Sequence, residues 1–317
     1  MNISKIIELG LWPQSKKTTS EKGIPELENL GYNLFYIGKN ADLYTCPGED
    51  QKVLLVRSDR CSVFDIPLNL EIEGKGISQT IISNDGAMFA KESGIRTAIL
   101  EEKIDESLSI SPRCQLMELC KPLEAEIDGD VVQFEFIFRN YLTGSLYEAC
   151  QTGNDPYGLN LDSSLSQWHK FETPIFTPTT KGIKDEPLNS TEVRNLFPEI
   201  ISSLEKLFKD FTQFAQDQGI IVVDTKLEVF IGANGEWILG DEILTPESSR
   251  FIAKEDFDKG NYISMDKQIL RDFGKENNWK EKSKDLSAGQ KLDVDVPDSI
   301  KNTILSGYAT IHDRLHR

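Results

Sequence analysis

Three acidic side chains and one lysine recur in this sequence at a spacing that could gather them at one place. Asp224, Lys226 and Glu228 occupy alternate positions of one apolar run, and Asp241 lies in the next. Alternate residues of a β-strand point to the same face of the sheet. Carboxylate oxygens are the ligands that Mg²⁺ prefers, often together with substrate phosphates. These residues therefore predict a nucleotide–metal site, and the solvated face of a hairpin is the alternative.

A tight turn between the two apolar runs would bring the acids together. The runs, residues 220–231 and 237–244, flank Asn234-Gly235. Asn-Gly between strands is typical of a two-residue hairpin loop in which both residues have positive φ. That loop would place Glu228 directly opposite Asp241, where like charges repel unless a cation lies between them.

A second polar group follows the strongly apolar strand predicted at residues 131–139. Arg139 ends this strand, and Thr143, Gly144 and Ser145 open a predicted helix. A guanidinium beside a helix N-terminus is well suited to bind a phosphate or a carboxylate. A capped helix that simply follows a strand is the alternative.

The composition narrows the class of protein. The chain has 317 residues, of which 38% are hydrophobic and 27% charged, as in ordinary globular proteins of two lobes. No run approaches the roughly 18 apolar residues of a membrane span, and the first residues lack the pattern of a secretory signal, so we expect a cytoplasmic protein. The formal net charge of −17 argues against nucleic acid or an anionic membrane as partner.

Cysteine and histidine give no metal site in the sequence. The five cysteines are an odd number without CxxC spacing, which favours free thiols. The three histidines, His169, His312 and His316, are few and scattered. His312 and His316 are four residues apart on a predicted helix, but without a further ligand we interpret them as a solvated helix end.

Periodicity predicts the elements that must position the polar residues. We expect strands from residue 34 to about 72, a helix over 77–93 that ends at Gly94, and a closing helix over 299–315. The strongest helical pattern covers residues 193–218 and ends at Gly219, just before the acidic run.

Eight segments, in order between about residues 34 and 272, resemble the SAICAR synthetase (phosphoribosylaminoimidazole-succinocarboxamide synthase) family. The matching pieces are Gly38-Lys39 with Asp42-Leu43-Tyr44; Ser58-Asp59-Arg60, Ser62 and Phe64-Asp65; Gly74-Lys75-Gly76; Arg139 with Tyr141-Leu142-Thr143-Gly144-Ser145; Phe176-Thr177-Pro178-Thr179-Thr180-Lys181; Asp224-Thr225-Lys226 with Glu228; Asp241-Glu242, Leu244-Thr245-Pro246 and Ser248-Ser249-Arg250; and Asp266-Lys267-Gln268 with Arg271.

The resemblance implies an α+β fold related to ATP-grasp enzymes, with antiparallel sheets, flanking helices and ATP between two lobes. The implied division is a leader (1–33), a mainly β lobe that contributes to ATP binding (34–120), and an α+β lobe with the substrate and metal site (121–317). The implied reaction joins L-aspartate to 5-aminoimidazole-4-carboxylate ribonucleotide (CAIR) at the expense of ATP, through an acyl phosphate. The cofactors are then ATP and Mg²⁺, the partners are small molecules, and the oligomeric state stays open.

The resemblance also implies which residues contact the nucleotide and the metal. Gly38 and Lys39 would contact ATP phosphates, and Glu228 and Asp241 would hold Mg²⁺. The carboxylate would be activated at Lys226.

Other roles concern the two remaining substrates. By the resemblance, Arg139, Ser145 and Arg250 would bind the ribonucleotide phosphate and Asp224 its ribose, so that Lys226, Arg139 and Asp224 form the catalytic group. The residues implied to recognise aspartate or the imidazole carboxylate, or to line that cavity, are Arg60, Ser62, Asp65, Asp266 and Arg271.

Two departures from the family pattern leave room for other activities. Ala41 replaces a second basic residue after Lys39, and residues 182–189 lack the usual His-Asp-Glu-Asn. A divergent paralogue that ligates another amine or carboxylate is one alternative, and a non-catalytic nucleotide-binding protein is another. A protein kinase is disfavoured because neither a His-Arg-Asp nor an Asp-Phe-Gly signature is present.

Overall fold

The structure, a computed structural model, describes residues 23–64, 66–182, 185–287 and 290–316. It combines helices with antiparallel sheets, which confirms the predicted α+β class. Among the described residues, no helix is long and apolar enough to cross a membrane. Most of the predicted leader, residues 1–22, lies outside the described residues.

The elements follow one another closely along the chain. The strands are β1 (Asn33–Ile37), β2 (Ala41–Cys46), β3 (Glu49–Arg57), β4 (Arg60–Val63), β5 (Ile66–Glu71), β6 (Cys114–Glu118), β7 (Lys121–Pro122), β8 (Glu124–Ile127), β9 (Asp130–Tyr141), β10 (Lys170–Phe176), β11 (Thr179–Thr180), β12 (Ile220–Ile231), β13 (Trp237–Gly240) and β14 (Ser249–Ala253). The helices are α1 (Pro25–Glu28), α2 (Lys75–Glu92), α3 (Gly144–Gln151), α4 (Ser190–Leu196), α5 (Pro198–Asp217), α6 (Lys254–Phe257), α7 (Gln268–Glu276), α8 (Trp279–Lys282) and α9 (Asp298–Leu315), with a 3₁₀ turn at Ser111–Arg113.

The chain divides into two compact units. Unit 1 takes the described part of Met1–Asp85, Ile99–Leu119 and the described part of Ile263–Arg317, and unit 2 takes Gly86–Ala98 and Cys120–Tyr262. This grouping differs from the predicted division, in which residues 121–317 belong to a single lobe.

Unit 1 contains a four-stranded antiparallel sheet and the β4–β5 hairpin. The strand order of the sheet is β1-β2-β3-β6. One apolar core joins the hairpin to the C-terminal helices, since buried residues of β4 and β5 pack with Leu270, Trp279 and Tyr308. Burial of such large side chains stabilises the folded state by roughly 1.5–3 kcal/mol each.

Unit 2 is built on two long neighbouring strands, β9 and β12. They pair antiparallel, with Asp224 opposite Arg139 and Lys226 opposite Ile137, and shorter strands extend the sheet on both sides in the order β10-β9-β12-β13. Helix α5 buries its apolar stripe, which includes Leu204 and Phe208. The polar residues of β9 and β12 are thus held in a rigid sheet whose neighbours are apolar.

The predicted single helix over residues 193–218 is wrong. Phe197 separates α4 from α5, with φ −131° and ψ 55°. Pro198 is the reason, because the proline ring clashes with a helical conformation of the preceding residue. The proline instead occupies the first turn of α5, where its missing N–H is no loss. The predicted helices at 77–93 and 299–315 are confirmed as α2 and α9.

The hairpin between β12 and β13 also differs from the prediction. Glu228 pairs with Gly240, so the predicted pairing of Glu228 with Asp241 is wrong by one residue. Asp241 follows the end of β13 instead of lying within the ladder.

The loop of this hairpin explains the shift. The Gly232 N–H donates to the Glu236 carbonyl (2.9 Å) and the Gly235 N–H donates to the Gly232 carbonyl (3.0 Å), which leaves residues 233–235 as the loop. Gly235 has φ +80°, whereas Asn234 is not among the residues with positive φ. A turn followed by a left-handed glycine is a three-residue loop, and one extra residue moves the register by one.

Candidate functional site

Lys226 lies at the centre of a charged cluster in unit 2. Its ammonium donates to Glu135 Oε1 on β9 (2.6 Å) and to Glu228 Oε1 on its own strand (2.8 Å). Glu228 also pairs with the ammonium of Lys181. The backbone N–H of Lys181 donates to the Gln133 carbonyl of β9 (2.9 Å), which fixes this lysine beside the sheet.

Burial and charge set the protonation of this cluster. Burial alone would raise the pKa of the Glu228 carboxyl, but the ammoniums of Lys226 and Lys181 hold it below its ordinary value. Burial alone would lower the pKa of Lys226, but Glu228 and Glu135 raise it. Glu228 is therefore a carboxylate and Lys226 an ammonium at neutral pH.

Asp241 is the second acid at this place, although it is not paired with Glu228 in the ladder. Its backbone has φ +55°, a left-handed conformation that is uncommon for a residue other than glycine and is found at turns and functional sites. Burial, together with the charges of Glu228 and Glu242, raises the pKa of Asp241 to about 7.

The carboxylates of Glu228 and Asp241 fit a divalent cation. Both supply hard oxygen ligands of the kind that Mg²⁺ takes. The charge of Glu228 raises the pKa of Asp241, so the two acids repel each other when both are ionised. A cation held by both would relieve that repulsion.

A second charged cluster surrounds Asp224. Arg139 Nη1 donates to Asp224 Oδ2 (2.9 Å) and Arg250 Nε donates to Asp224 Oδ1 (2.9 Å). Arg139 is buried; its Nε donates to Thr177 Oγ1 (2.9 Å), and the phenol of Tyr157 lies near enough to act on its charge. Asp224 thus orients two guanidiniums from neighbouring strands.

The N-terminus of α3 lies beside this cluster. Gly144 has φ +60°, and a Cβ at this position would lie 3.4 Å from Arg250 Nη1. Ser145 is exposed in the first turn of α3. The structure therefore brings Arg139, Asp224 and Arg250 together near Ser145. The guanidiniums and the first N–H groups of α3 are donors suited to a phosphate.

In unit 1, Gly38 and Lys39 form a turn between β1 and β2. The Gly38 N–H donates to the Ala41 carbonyl (2.8 Å), and a Cβ on Gly38 would come within 2.6 Å of that oxygen. Arg60 holds the turn from β4: Nη2 donates to the Gly38 carbonyl (2.9 Å) and Nη1 to Asp42 Oδ2 (3.0 Å). Lys39 is exposed at the tip.

The other predicted substrate contacts in unit 1 are spread over two elements. Ser62 is buried in β4, whereas Asp65 lies outside the described residues. Asp266 is buried and accepts hydrogen bonds from Ser264 Oγ (2.6 Å) and the Gln268 N–H (2.7 Å), which fixes the start of α7. Arg271 is partly buried on that helix. Contact of these residues with a substrate stays a prediction.

Sequence reasoning assigned no role to Glu135, Lys181 or Tyr157, although all three contact predicted site residues. Glu135 had a visible signal, because it is an acid between two phenylalanines in the middle of an apolar strand. Lys181 ends one of the matching segments. Tyr157 lies in an irregular stretch, and no pattern pointed to it.

Comparison with known proteins places this chain in a family. The model of the family described as SAICAR synthetase matches residues 34–286. The chain belongs to the SAICAR synthetase family. A relative from Desulfotalea psychrophila, named phosphoribosylaminoimidazole-succinocarboxamide synthase, is 32% identical over 264 residues, which cover 78% of this chain and 85% of the relative.

Solved structures agree with this membership. The SAICAR synthase from Saccharomyces cerevisiae, complexed with SAICAR, has a TM-score of 0.69 at 26% identity, covering 90% of this chain and 94% of the yeast chain. A type-2 SAICAR synthetase in complex with ADP has a TM-score of 0.61 at 20% identity, covering 90% and 97% of the two chains. At that identity the second likeness shows the fold alone.

Proposed function

We propose that this chain joins L-aspartate to CAIR and forms SAICAR, ADP and phosphate in de novo purine biosynthesis. The observation that carries the proposal is the cluster of Lys226, Glu135 and Glu228 beside Asp241, in a member of the SAICAR synthetase family. Such a cluster supplies one fixed ammonium for the anionic reactants and oxygen ligands for a metal–nucleotide complex.

The reaction needs the imidazole carboxylate to gain a leaving group. A carboxylate oxygen of CAIR attacks the γ-phosphorus of ATP, and the bond from that phosphorus to the oxygen that bridges it to the β-phosphate breaks. ADP leaves, and CAIR now carries a mixed acyl phosphate. The amine of aspartate then attacks the carbonyl carbon, loses a proton, and expels phosphate as the amide forms. Phosphoryl transfer of this kind depends on positioning and on neutralising charge.

Lys226 is positioned to neutralise the carboxylate that is activated. Its ammonium is fixed by Glu135 and Glu228, and these acids raise its pKa, so it acts as a permanent cation and not as a base. We assign Mg²⁺ to Glu228 and Asp241, where it would screen the phosphates of ATP. Lys181 neutralises part of the charge of Glu228.

The group around Asp224 fits the ribonucleotide. Arg250 and the first turn of α3 at Ser145 would bind its phosphate, and Asp224 its ribose hydroxyls. Arg139 is enclosed by Asp224, Thr177 and Tyr157, so we assign it chiefly to holding Asp224 in place.

Residues of unit 1 complete the proposal. The turn of Gly38 and Lys39 would bind ATP phosphates, with Arg60 holding the turn. Recognition of aspartate is assigned to Arg60 and Ser62 of β4, to Asp266 just before α7 and to Arg271 in α7. The cytoplasmic location stays a prediction.

The test is ADP formation by the purified protein, measured with all three substrates and with each one omitted, together with mass spectrometry of the product. We expect ADP and SAICAR in equal amounts only in the complete mixture. Lys226→Met should lower kcat/KM at least about hundredfold, as for loss of a donor that stabilises developing charge. Lys206→Met is the matched control, because Lys206 is an exposed lysine of unit 2 paired with Asp210; its activity should stay unchanged.

Other outcomes would favour the alternatives. ADP formation with another amino acid, and none with aspartate, would identify a divergent paralogue. Nucleotide binding without any ADP release in the presence of CAIR and aspartate would contradict an enzymatic role.

A further inference from the structure

We propose that Asp85, His312 and His316 form a binding site for a divalent transition-metal ion such as Zn²⁺. All three belong to unit 1. Asp85 lies on α2, His312 in the last turn of α9, and His316 directly after that helix. One ligand atom from each lies within 4.8 Å of the other two. None of these residues has a part in the proposed ligase reaction.

The carboxylate of Asp85 lies between the two imidazoles. Its Oδ2 is 3.1 Å from His312 Nδ1, and its Oδ1 is 3.0 Å from His316 Nδ1. Ligand atoms around a tetrahedral zinc ion, with bonds of about 2.1 Å, are about 3.4 Å apart. An ion could therefore replace the protons that the carboxylate shares with the two imidazoles, once the ligand atoms, which lie within 4.8 Å of one another, move closer together.

The type and exposure of the ligands select the ion. Two imidazoles and one carboxylate suit zinc and other late first-row metals, whereas Mg²⁺ and Ca²⁺ prefer oxygen ligands throughout. The side chain of His312 is 2% exposed and that of His316 is 54% exposed. The site is thus anchored in the protein on one side and open to water on the other, which leaves room for a water ligand.

The proposed site lies at the C-terminal end of α9, a position that favours a bound cation. The C-terminus of a helix carries partial negative charge, which favours a cation. The His316 N–H donates to the His312 carbonyl (2.8 Å), so that the backbone holds both histidines near the same turn. The interpretation of a solvated helix end is wrong for His312, because its side chain is buried and its Nδ1 contacts the carboxylate of Asp85, a residue 227 positions earlier.

The experiment uses the full chain after treatment with a chelator, in buffer with excess Mg²⁺ to occupy the carboxylate site. Zn²⁺ is titrated by calorimetry, and the melting temperature is measured with and without Zn²⁺. We expect one tight site per chain and a higher melting temperature with Zn²⁺, because an ion that binds the folded state stabilises it. His316→Gln should weaken binding at least about tenfold and abolish the shift. His316 is exposed, so this variant should fold normally.

Two controls separate this site from others. His169→Gln removes an exposed histidine outside the cluster and should bind Zn²⁺ like the original protein. Because the chain has free cysteines that could also bind the metal, Co²⁺ is used as a spectroscopic probe. It should show bands of nitrogen and oxygen ligation without thiolate charge transfer. Equal Zn²⁺ affinity of His316→Gln and the original protein, a thiolate signal, or no stoichiometric binding would overturn the proposal. Because activity is not the readout, failure here leaves the proposed ligase function untouched.

Discussion

Glu228, one of the two proposed metal ligands, pairs with two lysines, and its replacement tests the role of a single carboxylate. Glu228→Gln removes one carboxylate that faces Lys226 and Lys181. We expect kcat/KM with Mg²⁺ to fall at least about hundredfold. The reason is that the variant would hold Mg²⁺ less well, and the ion would then stabilise less of the negative charge in the transition state. Steady-state kinetics of the variant and the original protein at varied Mg²⁺ concentrations would measure this fall in kcat/KM.

A matched control exists on the same hairpin. Glu236 is half exposed and pairs with Arg96 at the surface, where such pairs contribute roughly 0–1 kcal/mol. Glu236→Gln should keep its activity. Loss of activity in both variants would point to a damaged hairpin and not to a lost ligand.

The raised pKa of Asp241 gives a pH dependence whose sign is fixed. A carboxyl group with a pKa of about 7 is protonated and uncharged below that pH, and it becomes a metal ligand as the pH rises. The affinity for Mn²⁺, measured by electron paramagnetic resonance without nucleotide, should therefore increase between about pH 6 and about pH 8. Asp241→Asn should bind weakly and show a flatter profile. An affinity of the original protein that does not change over this range would contradict the assignment.

At the same scale, the sequence predicted residue types better than their partners. Alternation along β12 correctly placed Lys226 and Glu228 on one face, because side chains of a strand alternate strictly. It could not show that Glu135 comes from another strand to bind Lys226. That contact depends on the pairing of β9 with β12, which joins segments about ninety positions apart.

Among the elements, the hairpin of β12 and β13 gives a test of backbone conformation. Gly235→Ala should destabilise the protein by about 1 kcal/mol, because Gly235 has φ +80° and a side chain there is strained even though a Cβ would meet nothing within 4 Å. Asn234→Ala should change the free energy of unfolding by less than about 0.5 kcal/mol. Denaturant unfolding of both variants would measure this.

The comparison between these variants distinguishes the observed loop from the predicted one. A two-residue loop would need positive φ at both positions, so equal destabilisation by the two substitutions would contradict the three-residue loop. The local sequence alone favoured the two-residue loop, because Asn and Gly both tolerate the positive φ that its two positions need. Only the closing hydrogen bonds at Gly232 decide between them.

The break between α4 and α5 shows a different limit. The apolar stripe continues across Phe197, so periodicity alone predicts one helix through Pro198. The backbone restriction before a proline overrides the stripe, and both helices still bury apolar residues, such as Val193 and Leu204.

For the whole molecule, membership of the SAICAR synthetase family was predictable because its segments keep their order and chemistry over three quarters of the chain. The division into compact units was not, because it depends on contacts between distant segments. Residues 263–316 belong to the same unit as the first strands, and no local sequence pattern predicts that the end of this chain packs with its first strands. The site formed by Asp85, His312 and His316 was missed for the same reason.

The discontinuous build of unit 1 has a consequence for biosynthesis on the ribosome. Its apolar core combines Cys61, Val63 and Leu68 with Ile304 and Tyr308, which leave the ribosome's exit tunnel more than 200 residues later. The core of the β4–β5 hairpin therefore stays incomplete until α9 has been synthesised, although Ile82 of α2, which also packs in it, follows soon after the hairpin. At translation speeds of about 5–20 residues per second, that interval lasts tens of seconds, during which apolar side chains of an incomplete core favour aggregation.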